Sequence, residues 1–149
     1  MHGHRYSREE LPTLLAARGI MPTRQRIEIA HALFSHGAHL SADRILALVN
    51  DRTSETSKAT VYNTLSLFLQ KRLVREVIVD PQKVFYDSNT VPHYHFYNVD
   101  TGELTDIDAT TVKVTGMPAL PPGMSEEGVD IVVRIRSNGP GASASTERN

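Results

Sequence analysis

The stretch that decides the fold is residues 57–87, SKATVYNTLSLFLQKRLVREVIVDPQKVFYD. It begins with apolar residues at helical spacing and then changes to the period of a strand. The helix is predicted to begin near Ser57. Its predicted buried face consists of Val61, Leu65, Phe68 and Leu69. Two strands follow, at 73–79 and 83–87, and a turn at 80–82 joins them into a hairpin.

Three shorter helices are predicted before this stretch. Ser7, Thr23 and Ser41 are placed to cap their first turns, because each hydroxyl can accept a hydrogen bond from an unpaired backbone N–H group. Gly19 and Gly37 mark the ends of the first two helices. Short helices followed by a hairpin are the arrangement of a winged helix-turn-helix.

The whole chain is predicted to have an α+β fold with two domains. Residues 1–87 form the winged-helix DNA-binding domain, residues 88–92 a hinge, and residues 93–136 a small α/β dimerisation domain that senses metal or heme. Such a small unit buries little surface alone, which favours pairing with a second copy. Residues 137–149 form a disordered tail. The elements predicted after the hinge are strands at 93–98 and 103–107, a short helix at 110–114, a loop at 116–128 and a strand at 129–136.

Composition and charge restrict the class of protein. The 149 residues include no cysteine, which excludes disulfides, a thiolate nucleophile and a cysteine-ligated zinc site. No stretch is apolar enough to span a membrane and no apolar signal segment is present, so we expect a cytoplasmic protein. Residues 1–90 carry 12 Lys/Arg and 9 Asp/Glu, whereas residues 91–149 carry 4 and 8. The N-terminal part is therefore the part able to approach a polyanion.

The helix that begins near Ser57 carries side chains able to contact DNA. In a winged helix-turn-helix, the last helix before the hairpin enters the major groove and the hairpin contacts the backbone. Polar and aromatic groups can meet phosphates and base edges there. On this helix they are Lys58, Thr60, Tyr62, Asn63 and Ser66. The same pattern is typical of a solvated amphipathic helix, and periodicity alone does not distinguish the two.

His93 and His95 form the centre of a candidate metal site. They stand one residue apart on a predicted strand, so both imidazoles project from one face and can hold one metal ion or flank one heme. Asp87 ends the preceding strand, Asp106 lies on the strand predicted to pair with the histidines, and His39 lies upstream. Imidazole and carboxylate ligands suit Zn²⁺, Fe²⁺ or Mn²⁺. If the five converge, the ion ties the domains together and couples metal occupancy to DNA affinity. A His-x-His pair is also often an ordinary surface pair.

Four motifs carry a resemblance to a known family. They are Thr23-Arg24-Gln25-Arg26, His39-Leu40-Ser41-Ala42, Ala59-Thr60-Val61-Tyr62-Asn63-Thr64-Leu65 and His93-Tyr94-His95. They follow one another over roughly residues 8–136, and in this order the chain resembles the ferric uptake regulator family of bacterial repressors. Within the family it is most similar to the iron response regulator (Irr) branch of alphaproteobacteria, which lacks cysteine here and carries stretches like residues 101–107.

The resemblance implies a regulatory metal site at the same five His and Asp residues, and it implies DNA contacts. Tyr62 is the candidate for reading bases, and the supporting contacts come from Arg24, Lys58, Thr60 and Asn63. The expected partners are an operator in double-stranded DNA and a second copy of the chain, with a higher oligomer on DNA as a variant. No membrane partner is expected.

Two departures from the family pattern concern its other metal sites. The structural zinc site of the family needs paired cysteines, and Asn98 and Thr101 stand where the first pair would fall. We therefore expect no structural zinc. A second site of many relatives draws on ligands where this chain has Pro92 and Tyr94, so the chain lacks that pattern as well.

The Irr resemblance also implies heme. In that branch, a histidine-rich segment at this position is linked to heme binding that weakens DNA affinity. His93 and His95 would be the axial ligands, in competition with a divalent ion. The expected function is an iron-responsive regulator of iron homeostasis genes that senses metal, heme or both.

Three other functions fit parts of the sequence. A manganese- or peroxide-responsive regulator of the same family would use the same fold and site. A metal hydrolase would use the His/Asp cluster to activate water, but the sequence contains no His-Glu-x-x-His motif. A metal buffer would bind DNA only incidentally.

Overall fold

The computed structural model describes residues 5–36, 39–53 and 55–139, apart from the side chain at position 53. In these ranges the chain has the expected α+β fold and divides into two compact units, Met1–Val91 and Pro92–Asn149. Helices and a small sheet build the N-terminal unit, and a second sheet builds the C-terminal unit. None of the helices in the described ranges combines the length and apolar character that a membrane span requires.

The described part of the N-terminal unit contains four α-helices. Of the predicted caps, Ser7 precedes the 3-10 turn before the first helix and forms a capping box with Glu10, and Thr23 and Ser41 cap the second and third helices. Thr23, Ser41 and Ser57 each accept a hydrogen bond from the backbone N–H three residues on, at 3.1–3.3 Å. The predicted stop at Gly37 lies outside the described residues. The helices are α1 (Leu11–Ala17), preceded by a 3-10 turn at Arg8–Glu10, α2 (Arg24–Ser35), α3 (Ala42–Thr53) and α4 (Lys58–Gln70).

The core of this unit fixes α4 in place. Val61, Leu65 and Phe68 are at most 1% exposed, as predicted, whereas Leu69 is only half-buried. Burial of each such side chain stabilises the fold by about 1.5–3 kcal/mol. The other helices supply the opposing side chains, chiefly Leu11, Leu15, Ile29, Leu33, Ile45 and Val49. The outward residues of α4 therefore project from a rigid scaffold.

The predicted hairpin follows α4 and is joined by a third strand. Strands β2 (Arg75–Asp80) and β3 (Lys83–Asp87) pair antiparallel. Strand β1 (His39–Leu40), which the sequence did not predict, pairs antiparallel with the other edge of β3. This pairing places His39 directly opposite Asp87.

The sheet of the C-terminal unit has the order β5-β4-β6. Strand β4 (His93–Asn98) pairs antiparallel with β5 (Leu104–Asp108) and parallel with β6 (Val132–Ile135). The turn between β4 and β5 uses Asn98, whose side chain accepts two backbone hydrogen bonds at 2.9 and 3.2 Å. Gly102 completes the turn at φ +77°, a conformation that favours glycine.

The segment after β5 differs from the prediction of a helix at 110–114. Only a 3-10 turn at Ala109–Thr111 forms, and Val112 is already extended at φ −117°. The backbone N–H and hydroxyl groups of Thr110 both donate to the Asp108 carboxylate, at 2.9 and 2.8 Å, and they hold the pKa of Asp108 below its usual value. The last strand is also shorter than the predicted 129–136. Residues 137–139 have no regular structure, and the rest of the predicted tail lies outside the described residues.

Candidate metal ligands and candidate DNA-binding surface

Three predicted ligands come together within the C-terminal unit. His93 and His95 share one face of β4, and their rings lie 4.5 Å apart between centroids. The register of β4 and β5 places Asp106 opposite His95. Atom Oδ1 of Asp106 lies 3.3 Å from Nε2 of His93 and 3.5 Å from Nε2 of His95. The two imidazoles are 6% and 2% exposed, whereas the carboxylate is 32% exposed.

These separations fit ligands that share one ion. Imidazole nitrogens and carboxylate oxygens lie about 2.0–2.2 Å from Zn²⁺, so two ligands at a tetrahedral angle are roughly 3.4 Å apart. The observed 3.3 and 3.5 Å match that spacing, and they are longer than an ordinary N–H···O hydrogen bond of about 2.7–3.2 Å. Three donors of this chemistry suit Zn²⁺, Fe²⁺ or Mn²⁺ and leave coordination positions for further ligands.

The register of β4 and β5 brings one of two aspartates close to the histidines. Strand β5 carries two aspartates on one face, Asp106 and Asp108, and the latter stands opposite His93 in the register. The carboxylate of Asp108 is instead bound to Thr110 at the end of the strand. Asp106 is therefore the aspartate of this strand that lies beside both imidazoles.

The other two predicted ligands come together within the N-terminal unit. Atom Nε2 of His39 lies 3.5 Å from Oδ2 of Asp87, and the two side chains are 12% and 0% exposed. The other carboxylate oxygen accepts a hydrogen bond from the backbone N–H of Asn89 at 2.9 Å. A buried carboxylate is costly unless a cation or donors compensate it. The imidazole–carboxylate grouping of the C-terminal unit is thus repeated here with one histidine.

Four of the five predicted DNA-contacting residues lie on α4, and the fifth, Arg24, is the first residue of α2. Lys58, Tyr62 and Asn63 are exposed, the tyrosine to 43%, and Thr60 is half-buried. The Lys58 ammonium group lies 5.9 Å from the centre of the Tyr62 ring. It also lies 3.6 Å from the Asp43 carboxylate at the start of α3. An exposed aromatic ring beside an ammonium group suits contact with base edges and phosphates.

A surface pocket of about 440 Å³ lies beside this face, between the start of α2 and the middle of α4. It brings together Arg24, Thr60 and Asn63 from the predicted set. Sequence reasoning did not assign Gln25 and Arg26 a DNA contact, although both follow the Thr23 cap and belong to a quoted motif. The pocket is lined by Thr23, Arg24, Gln25, Arg26, Thr60, Asn63 and Thr64. Its lining includes two arginines and the first turn of α2, whose charge and dipole favour a phosphate.

Sequence comparison places the chain among known proteins. Residues 17–120, more than half of the chain, match the family described as Ferric uptake regulator family. A curated relative, the Peroxide-responsive repressor PerR of Staphylococcus epidermidis, is 32% identical over 98 residues. The matched region covers 66% of this chain and 65% of that protein, so the chain spans just under two thirds of the length of this relative.

Solved structures share the fold. The Vibrio cholerae ferric uptake regulator superposes with a TM-score of 0.65 at 19% identity, over 85% of this chain and 99% of that one. The ferric uptake regulator of Pseudomonas aeruginosa with manganese superposes with a TM-score of 0.63 at 23% identity, over 85% and 97%. The predicted winged helix and the second, sheet-containing domain thus agree with solved structures. The sequence of residues 17–120 also matches the family itself. The chain belongs to the ferric uptake regulator family.

Proposed function

We propose that this chain is a metal-responsive transcription regulator that binds double-stranded operator DNA as a homodimer. One observation carries the proposal: the Nε2 atoms of His93 and His95 both lie 3.3–3.5 Å from one oxygen of Asp106, at the spacing of ligands around an ion. Members of the family are transcription regulators and not enzymes, which leaves the hydrolase alternative without support.

We further propose that His39, Asp87, His93, His95 and Asp106 ligate the same ion. Each unit supplies at least one imidazole nitrogen and one carboxylate oxygen at 3.3–3.5 Å from each other. An ion bound by both sets would fix the angle between the two units. Because a dimeric reader binds only when its two recognition helices match the half-site spacing, metal occupancy would then control DNA affinity.

Exposed apolar side chains support the proposed dimer. In the C-terminal unit, several large apolar residues are 38–66% exposed, and a dimer interface would remove them from water. These residues are Phe96, Val114, Met117, Leu120 and Met124. Over its described residues, this unit has a sheet of three strands and few buried side chains, so a second copy would complete its core.

We propose iron as the physiological signal, on the strength of the Irr resemblance, with heme as a second ligand. Imidazole is a common axial ligand of heme iron. Because His93 and His95 are only 6% and 2% exposed and face Asp106, heme binding requires them to move away from that carboxylate. Heme and a divalent ion would therefore exclude each other at this site.

A peroxide-responsive regulator is the second candidate. The relative that supports it is named for that response and is 32% identical over 98 residues. The similar structure from Pseudomonas aeruginosa is named with manganese, so a manganese-responsive regulator is a further candidate. Exposure of the Fe²⁺-loaded protein to hydrogen peroxide distinguishes these candidates, because only a peroxide-responsive regulator would release its DNA.

Replacing Tyr62 with alanine tests the DNA-binding proposal. Duplexes are first selected from a random pool by the metal-loaded wild-type protein. We expect Tyr62→Ala to weaken binding to the selected duplex by about 1–3 kcal/mol, because the ring contacts a base, and to change binding to random duplex little. Fluorescence anisotropy measures both affinities.

Tyr62→Phe is the matched control, since it keeps the ring and removes only the hydroxyl group. Equal affinities of Tyr62→Ala and wild type for the selected duplex would show that α4 is not the reading helix.

A further inference from the structure

We propose that Asn50 is a positioning residue that sets the orientation of α4 on DNA. The inference rests on the proposed DNA-binding function. Asn50 lies in the last turns of α3, is half-buried, and does not belong to the face of α4 that would meet the bases. It acts through Thr56, the residue before the Ser57 cap of α4.

The contact is a pair of hydrogen bonds between a side-chain amide and a backbone residue. Atom Nδ2 of Asn50 donates to the carbonyl oxygen of Thr56 at 3.2 Å. The backbone N–H of Thr56 donates to Oδ1 of Asn50 at 3.1 Å. The amide thus pairs with both polar groups of one residue, as a neighbouring strand would. Thr56 is 8% exposed, so loss of these bonds would leave buried polar groups unpaired.

The clamped residue leads directly into the helix. Thr56 is followed by Ser57, whose Oγ accepts the backbone N–H of Thr60 at 3.1 Å. Two consecutive residues are therefore fixed at the start of α4, one to α3 and one to the first turn of the helix. The α3 end is itself held, because Ile45 and Val49 are buried in the core. The N-terminal end of α4 is thus tied to α3 by the Asn50 side chain, in addition to the core packing of Val61, Leu65 and Phe68.

Only an amide of this length satisfies both bonds. Asn50→Asp keeps an acceptor for the Thr56 N–H but places a carboxylate oxygen against its carbonyl. Asn50→Leu has a similar size and offers neither partner. A tilt of α4 would displace Tyr62 and Asn63 from base edges, whereas contacts to the continuous phosphate backbone tolerate it better. Loss of the clamp should therefore reduce selectivity more than it reduces general DNA affinity.

The experiment measures the ratio of affinities for the selected duplex and for random duplex, with metal-loaded full-length protein. We expect Asn50→Leu to lower this ratio by about tenfold or more, the effect of losing one good base contact, and Asn50→Asp to lower it less. Mn²⁺ affinity should stay at the wild-type value in both variants. Ile29→Val serves as the matched control, since it weakens the same core without touching the clamp.

The outcomes separate the inference from the function on which it rests. An unchanged ratio in folded Asn50→Leu would overturn the inference, and Asn50→Asp replaces it in the measurement if the leucine variant does not fold. An equal loss of selectivity in Ile29→Val would also overturn it, because general destabilisation would then explain the effect. A wild-type protein that prefers no duplex over random DNA would instead overturn the proposed function, and this inference with it.

Discussion

Replacing His93 and His95 together with alanine is expected to lower the affinity for Mn²⁺ or Zn²⁺ by at least about a hundredfold. Changes to groups that only support metal ligands already cost about 10–100-fold, and this variant removes two direct ligands. Three of the five proposed ligands, His39, Asp87 and Asp106, would remain, but the variant keeps only one of the three imidazoles that suit these metals. Isothermal titration calorimetry measures the affinity, and circular dichroism checks that the fold is retained.

His36→Ala is the matched control for this variant, because it removes an exposed histidine that lies on no candidate site. If the folded double variant bound metal as tightly as the wild type, the histidines of β4 would not be metal ligands. The double variant and its His36→Ala control also test whether His93 and His95 bind heme, since the double variant should lose the Soret shift that axial imidazoles produce.

The His39→Ala variant tests whether both units share one ion. If His39 ligates the same ion, His39→Ala should also weaken metal binding although it lies in the other unit. An unchanged affinity in His39→Ala, beside a large loss in the double variant, would confine the metal site to the C-terminal unit.

The second large effect is expected from salt. A dimer that makes six to ten phosphate contacts should lose about 10³–10⁵ in DNA affinity between about 50 and about 200 mM salt, because each contact releases condensed counterions. Arg24 lines the pocket between α2 and α4 and is a candidate for one of these contacts. We expect Arg24→Ala to reduce the slope of log affinity against log salt by about one for each protomer bound.

Lys113→Ala provides the control for charge, since it removes one exposed positive charge from the C-terminal unit. Anisotropy titrations at four or five salt concentrations give the slopes. A slope for Arg24→Ala equal to that of wild type would take the pocket out of the DNA interface, and a nearly flat wild-type slope would contradict DNA binding altogether.

The N-terminal unit was largely predictable because its signals are local. The capping hydroxyls of Thr23, Ser41 and Ser57 and the apolar spacing of α4 depend only on nearby residues, and all appear in the structure. Strand β1 was missed because two residues are too short to show alternation. The predicted helix at 110–114 does not form. Asp108 caps a single 3-10 turn, and the β-branched residues Thr110, Thr111 and Val112 do not continue it, since Val112 is already extended.

The candidate metal ligands were predictable only in part. Side chains alternate between the two faces of a strand, so the sequence alone places His93 and His95 on the same face. The choice of Asp106 over Asp108 depends on the β4–β5 register, which the Asn98 side chain and the positive φ of Gly102 set in the turn. The approach of His39 to Asp87 depends on the β1–β3 pairing. Such non-local contacts leave no pattern in a single sequence.

The measurement that tests the central claim most directly is operator affinity as a function of metal occupancy. The selected duplex is titrated with wild-type protein and with the His93→Ala/His95→Ala variant, each with and without Mn²⁺, at constant ionic strength. We predict that Mn²⁺ changes the wild-type affinity by about 5–150-fold, the usual range of coupling between two sites, and leaves the variant unchanged. Equal wild-type affinity with and without bound metal would contradict the proposal that this chain is a metal-responsive regulator.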